Sequence, residues 1–244
     1  MRRHPARSSH PAAPRGGRSG GDADPSIDLR RLYTIEARLR ACYGRPHHHN
    51  PGDPLDDLVF VVLSRMTQET KYVRTYRGLR AALPTWGAVR DAPPDALREL
   101  LRDAGLAPTK ARDIQAILRE IEQREGGLDL GRLRTLDDTA VEVYLTSLPG
   151  VARKTARCVM LYALGRDVCP VDTHVWRVMR RLGYAPEQAW SELRARQLEE
   201  RLPAGIRGSL HVTLVAHGRA ACRARWPRCD TCVLADVCPG SLGT

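Results

Sequence analysis

Lysine is almost missing from this chain. Of 39 basic residues in 244, only Lys71, Lys110 and Lys154 are lysines; the other 36 are arginine. A sequence that uses arginine almost wherever a positive charge will serve marks its remaining lysines for something a guanidinium cannot do, which is to lose a proton and attack. Long apolar runs are missing too. The longest, LVFVVL at 58–63, is far too short to cross a bilayer. No apolar stretch follows the first arginines in MRRHPARSSHPAAPRGG, so no secretory signal is expected and the protein reads as intracellular. In a reducing compartment its seven cysteines point to metal ligands or plain thiols and not to disulfides. Alternating apolar and polar runs are scarce, and there is no internal repeat.

What the chain does have is charge and helical periodicity. Hydrophobic residues make up 42%, enough for a real core, and the net charge is +11 with a pI near 9.8. That balance suits a polyanion, most simply nucleic acid, or an anionic membrane surface. Residues 1–27 hold five arginines against two aspartates among Pro, Gly and Ser, with almost nothing to bury, and read as a disordered basic tail. From Leu29 on, Leu32, Ile35 and Leu39 recur at helical spacing. In PPDALRELLRDAG, Leu97, Leu100, Leu101 and Ala104 make one stripe, with prolines in the first turn and Gly105 at the end. TAVE at 139–142 has the form of a capping box opening a helix to about Ser147. The fold class is all-α.

That helix leads to LPGVARKTARC at 148–158. Two helices joined by a tight Pro-Gly turn form a helix-hairpin-helix, and N–H groups at such a turn bind anions. On a basic protein the natural anion is a DNA phosphate. Lys154 stands near the start of the second helix, where the helix dipole, Arg153, Arg157 and burial are all expected to lower its pKa. As it stands, it reads equally well as a surface lysine on a phosphate. Eighteen residues on, in VDTHVWRVMRR, Asp172 has the place of an N-cap, a role that also fixes a carboxylate in space. Near the end, Cys222, Cys229, Cys232 and Cys238 follow C-x6-C-x2-C-x5-C, a metal pattern open to tetrahedral zinc or an iron–sulfur cluster. Cys42, Cys158 and Cys169 read as buried thiols or bystanders, and HHH at 47–49 as a solvated loop.

Taken in order, LPGVARKTA, VDTH and the four cysteines closely resemble endonuclease III, a helix-hairpin-helix DNA glycosylase with a Gly/Pro loop and a catalytic Asp. The likeness runs from about Asp56 to Cys238 and takes in GLAPTKARDI at 105–114 and AHGRAAC at 216–222. The resemblance implies two helical domains with DNA in the cleft between them: a six-helix barrel at 56–166, and an iron–sulfur domain made of 28–55 with 167–244. It implies a damaged base flipped from duplex DNA, Lys154 as nucleophile, Asp172 as catalytic carboxylate, and a [4Fe-4S] cluster on the four cysteines. It further implies Leu106 as a wedge, Met66 or Gln68 in the space the base vacates, and DNA contact at Pro149, Gly150, Val151, Ala152, Arg153 and His174. The implied function is a glycosylase and abasic-site lyase acting on oxidised pyrimidines, a monomer associated with the nucleoid and not with a membrane. Two positions depart from the family pattern: Ala152 stands for a usual glycine, which either holds a phosphate off or constrains the turn, and Met66 for a usual Gln or Asn. They keep open a weakly catalytic paralogue that mainly binds damaged DNA. A mismatch glycosylase is the third reading, against which Lys154 argues.

Overall fold

The computed structural model describes residues 27–46 and 48–241; the basic tail expected at 1–27 lies almost wholly outside them. Among the described residues the chain forms helices and no strand. Helix α1 (Leu29–Tyr43) starts where Asp28 accepts the Arg31 N–H at 3.1 Å, and it buries Leu32, Ile35 and Leu39 as their spacing predicts. Helix α2 (Pro54–Ser64) is capped by Asp53, with proline in its first turn. It contains LVFVVL, whose side chains are all buried, the mark of a helix surrounded by others. Next come α3 (Glu69–Ala82), α4 (Trp86–Asp91), capped by Thr85, and α5 (Pro94–Leu100). The stripe expected to continue to Ala104 tightens into a 3₁₀ turn at Arg102–Ala104 before Gly105.

Helix α6 (Ala107–Glu125) is the longest. The cap of α7 (Asp138–Thr146) is Asp137, which accepts the Ala140 N–H at 2.8 Å. Thr139 therefore lies inside the helix, and the capping box expected at 139–142 is not formed, because an aspartate two residues earlier takes the role. Helices α8 (Arg153–Tyr162), α9 (Thr173–Arg181), α10 (Glu192–Arg201) and α11 (Arg207–Ala220) follow.

These elements build two hydrophobic cores. The first gathers α2 to α8 around residues such as Leu58, Val62, Ile114, Leu118, Leu145 and Val159. The second joins α1 to α9, α10 and α11 through Leu32, Ile35, Val175, Met179, Leu198 and Leu214. The chain therefore enters the second core at its beginning and returns to it after residue 168. Cys158 and Cys169 are buried, but Cys42 is exposed on the last turn of α1. Among the described residues no helix is long and apolar enough to cross a membrane.

Candidate active site

A cleft of about 610 Å³ lies where the two cores meet. The first core contributes the end of α2, the start of α3 and one face of α8. The second contributes the residues entering α9 and a face of α11. Lys154 and Asp172 line this cleft together, so the two residues singled out in the sequence, one from each core, face one space.

The hairpin that delivers Lys154 is set by one glycine. Gly150 has φ 69°, and a Cβ there would sit 3.3 Å from the Asp113 carboxylate, so the turn requires glycine on both counts. Ala152 is extended (φ −77°, ψ 161°), a conformation open to any residue, and its methyl does not constrain the turn. Pro149, Gly150 and Ala152 are exposed, while Val151 is buried in the first core. No side chain caps α8, which leaves its leading N–H groups for an external acceptor.

Arg153 is placed differently from the expectation of a DNA contact. Its guanidinium turns inward to Glu142 (2.8 Å) and Glu199 (2.8 Å), and Arg157 joins the same two carboxylates (2.7 and 3.6 Å). Glu199 is 3% exposed and also accepts the Cys169 N–H at 2.9 Å. This cluster ties α7 and α8 to α10 and neutralises both arginines expected to depress the Lys154 pKa. The depression does not occur. The Lys154 pKa is raised, by the Cys158 sulfur first and by Asp172 as well, against burial. Burial pushes the Cys158 thiol up in its turn, and Asp172, on the facing wall of the cleft, also favours the charged form of the lysine. The resting amine is an ammonium, and reaction requires that its proton leave.

Asp172 is the N-cap of α9, accepting the Val175 N–H at 2.8 Å; cap and cleft residue are the same carboxylate. Two residues on, His174 lines the cleft, with burial lowering its pKa, and Arg177 lies against its Nδ1 at 3.1 Å. Arg177 continues to the carbonyls of Gly218 (2.9 Å) and Cys222 (3.1 Å). A Cβ at 218 would come within 3.1 Å of both His174 and Arg177, which accounts for the glycine of AHGR. Met66 lines the cleft mouth and is 92% exposed, whereas Gln68 precedes α3 outside the lining. Leu106 is also exposed, at the left-handed start of α6.

Several cleft residues carried no sequence signal. His211 is buried, hydrogen-bonded through Nδ1 to the Pro170 carbonyl (2.7 Å) and through Nε2 to the Tyr162 hydroxyl (3.0 Å). Burial takes its pKa down to about 4, so it stays neutral and accepts the phenol proton at Nε2. Trp190 lines the rim and donates to the Val171 carbonyl at 3.1 Å, next to Asp172. His48 and His49 belong to the cleft wall, and the His48 ring packs on Tyr162 at 4.7 Å. The loop at 48–49 is solvated, as expected, but it is also part of the site. His47 lies outside the described residues.

The four C-terminal cysteines surround a second, smaller cavity floored by Val178, Leu182 and Leu234. Arg181 donates to Cys222 Sγ at 3.2 Å and the Leu234 N–H to Cys232 Sγ at 3.4 Å; such donors favour thiolates. Among the described residues no three His, Cys, Asp or Glu side chains converge to hold a single metal ion. Four thiols lining one cavity are a donor set that fits an iron–sulfur cluster and also zinc.

Residues 59–204 match the family model for the HhH-GPD superfamily of base excision DNA repair proteins. An Arabidopsis thaliana protein assigned as a DNA glycosylase is 34% identical over 165 residues, 68% of this chain; the chain spans 56% of that plant protein's length. Endonuclease III of Escherichia coli strain K12 is 31% identical over 217 residues, covering 86% of this chain and 96% of that one. Of solved structures, a trapped endonuclease III–DNA covalent intermediate, an estranged-adenine complex, is similar with a TM-score of 0.76. It is 26% identical and covers 88% of this chain and 98% of that one.

Proposed function

This chain belongs to the endonuclease III group of the HhH-GPD superfamily of base excision DNA repair proteins, and from that premise we propose that it is a bifunctional DNA glycosylase and abasic-site lyase acting on oxidised pyrimidines. The observation that carries the proposal is the meeting of Lys154 and Asp172 in one cleft, beside a hairpin helix that no side chain caps. Phosphate on the hairpin turn would hold the backbone of a damaged duplex, and the flipped nucleotide would enter the cleft.

The resting ammonium first gives its proton to Asp172, which lines the same cleft. The free amine then attacks C1′ of the sugar, and the bond from C1′ to the base breaks with its electron pair leaving on the base, which picks up a proton. Opening of the sugar ring yields an imine between Lys154 and C1′. Loss of a proton from C2′ expels the 3′ phosphate, and water hydrolyses the imine to free the lysine. Arg153 and Arg157, already paired with Glu142 and Glu199, serve to fix α8 and not to receive the phosphate. A [4Fe-4S] cluster held by Cys222, Cys229, Cys232 and Cys238 would brace the C-terminal loop against α9 and α11.

A gel decides the reading. Incubated with duplexes carrying thymine glycol, an abasic site or no damage, the protein should cut the first two and spare the third. A protein that binds all damaged duplexes tightly and cuts none is the binding paralogue instead. It should act within the cell as a monomer on damaged duplex DNA.

A further inference from the structure

Met66 (φ 50°) and Leu106 (φ 51°) share a rare feature, found elsewhere among the described residues only at Trp226 in the cysteine loop. Both are apolar, exposed (92% and 54%) and held in left-handed backbone that only glycine adopts freely. Such conformations persist only where the surroundings impose them. The lysine that the reaction does not use is bonded beside both of them. Lys110, on the first turns of α6, is 2% exposed. Its Nζ donates to the Leu63 carbonyl at 2.7 Å, three residues before Met66, and to the Ala104 carbonyl at 2.7 Å, two residues before Leu106. The third bond goes to the Thr67 hydroxyl at 2.8 Å, and that hydroxyl in turn donates to the Ala104 carbonyl. An ammonium has three donors and all three are used. A planar guanidinium cannot aim three bonds from one atom at acceptors drawn from the end of α2, the loop after it and the 3₁₀ turn before α6.

We propose that Lys110 is a positioning residue for lesion extrusion: it staples the loop of Met66 to the loop of Leu106, so that the two apolar side chains enter the duplex as one preformed pair. This rests on the reading of the chain as a base-flipping glycosylase. Flipping a base leaves a gap in the stack and an unpaired opposite base. Two side chains held at fixed separation fill that space without being ordered at the moment of insertion. Duplex affinity that comes from phosphates does not depend on them. Lysines at 110 and 154 thus do the two things arginine cannot, converging three bonds in one case and attacking in the other. Lys71 is exposed on α3.

The test uses full-length Lys110→Met on a thymine glycol duplex with 2-aminopurine beside the lesion, which brightens as the stack opens. Single-turnover base removal and the brightening should both slow by on the order of 10- to 100-fold, the scale expected of small misplacements of working groups. Affinity for undamaged duplex and its salt dependence should stay within about twofold. Borohydride trapping on an abasic site in single-stranded DNA, where no base leaves a stack, should match wild type. In a Met66→Ala, Leu106→Ala background, Lys110→Met should slow the reaction by less than about a further twofold, since residues acting through one another are not additive. An equal loss on the single-stranded site, or a full further loss in the wedge-less background, would overturn the proposal. Should Lys110→Met fail to fold, Thr67→Val faces the same comparisons, and normal extrusion in it counts against the staple. Failure of wild type to trap on an abasic-site duplex refutes the lyase reading alone, because the 2-aminopurine signal needs no chemistry and still judges the staple.

Discussion

Asp57 is a fully buried carboxyl in the first turn of α2. Asn50 donates to its Oδ1 at 2.6 Å, and its Oδ2 has no hydrogen-bond partner. Burial is the main cause that pushes its pKa up to about 7, with Asp53 and Asp56 adding and Asn50 opposing. In the unfolded chain an aspartate titrates near 3.9. Between about pH 4 and 7 the folded protein therefore keeps a proton that the unfolded chain has lost, and stability falls as pH rises through that window before levelling off above 7. A shift of about three units limits the whole effect to about 4 kcal/mol, of which about 2–3 kcal/mol falls between pH 5 and 8. Asp57→Asn removes the titration and keeps the shape. Urea unfolding of both proteins at pH 5, 6, 7 and 8 should show the variant gaining on wild type by that amount as pH rises. A constant difference between them across the series would refute the reasoning. The acid earns its place by anchoring Asn50, which lines the cleft on the same loop as His48 and His49.

Three further outcomes follow from the geometry. Glu199→Ala should destabilise the protein by about 3–5 kcal/mol, because it leaves Arg153 and Arg157 sharing the one carboxylate of Glu142 and the buried Cys169 N–H without its acceptor; Glu200→Ala, which removes the exposed neighbour's pair with Arg196, should leave the melting temperature almost unchanged. Met66→Gln should shift the preference among opposite bases by about fivefold, the worth of one hydrogen bond to an orphaned base, measured as single-turnover rates against all four partners. Purified protein should contain about four iron and four acid-labile sulfide per chain, and Cys222→Ser should lose both and melt earlier, whereas equimolar zinc without sulfide would contradict the cluster.

Much of the fold was legible because it rests on local rules. The stripe Leu32, Ile35, Leu39 is buried as periodicity requires, and Asp172 caps α9 as its place before VWRVMRR suggests. The capping box at 139–142 was misread because Asp137 starts the helix two residues earlier by capping the Ala140 N–H, and Glu142 is taken by Arg153 and Arg157. The expected depression of the Lys154 pKa failed because Cys158, one turn along α8, and Asp172, brought in from the other core, favour the charged amine, and Glu199, which pairs with Arg153 and Arg157 from 42 residues beyond Arg157, is likewise invisible to local reading. Lysine scarcity pointed to Lys110 as much as to Lys154. Its role depends on carbonyls at 63 and 104 converging on one nitrogen, which spacing cannot reveal. For the same reason His211, Tyr162 and Trp190 reach the cleft through tertiary packing alone.

The central claim is that Lys154 attacks the sugar, and borohydride trapping tests it most directly. Reduction of the imine should lock wild-type protein to an abasic-site duplex as a slow band on a denaturing gel. Lys154→Ala and Lys154→Arg should both lose the band, since a guanidinium forms no such imine. Asp172→Asn should slow base removal by about 10²–10⁴-fold and still trap on the preformed abasic site. A band that persists in Lys154→Ala would place the nucleophile on another amine and contradict the account.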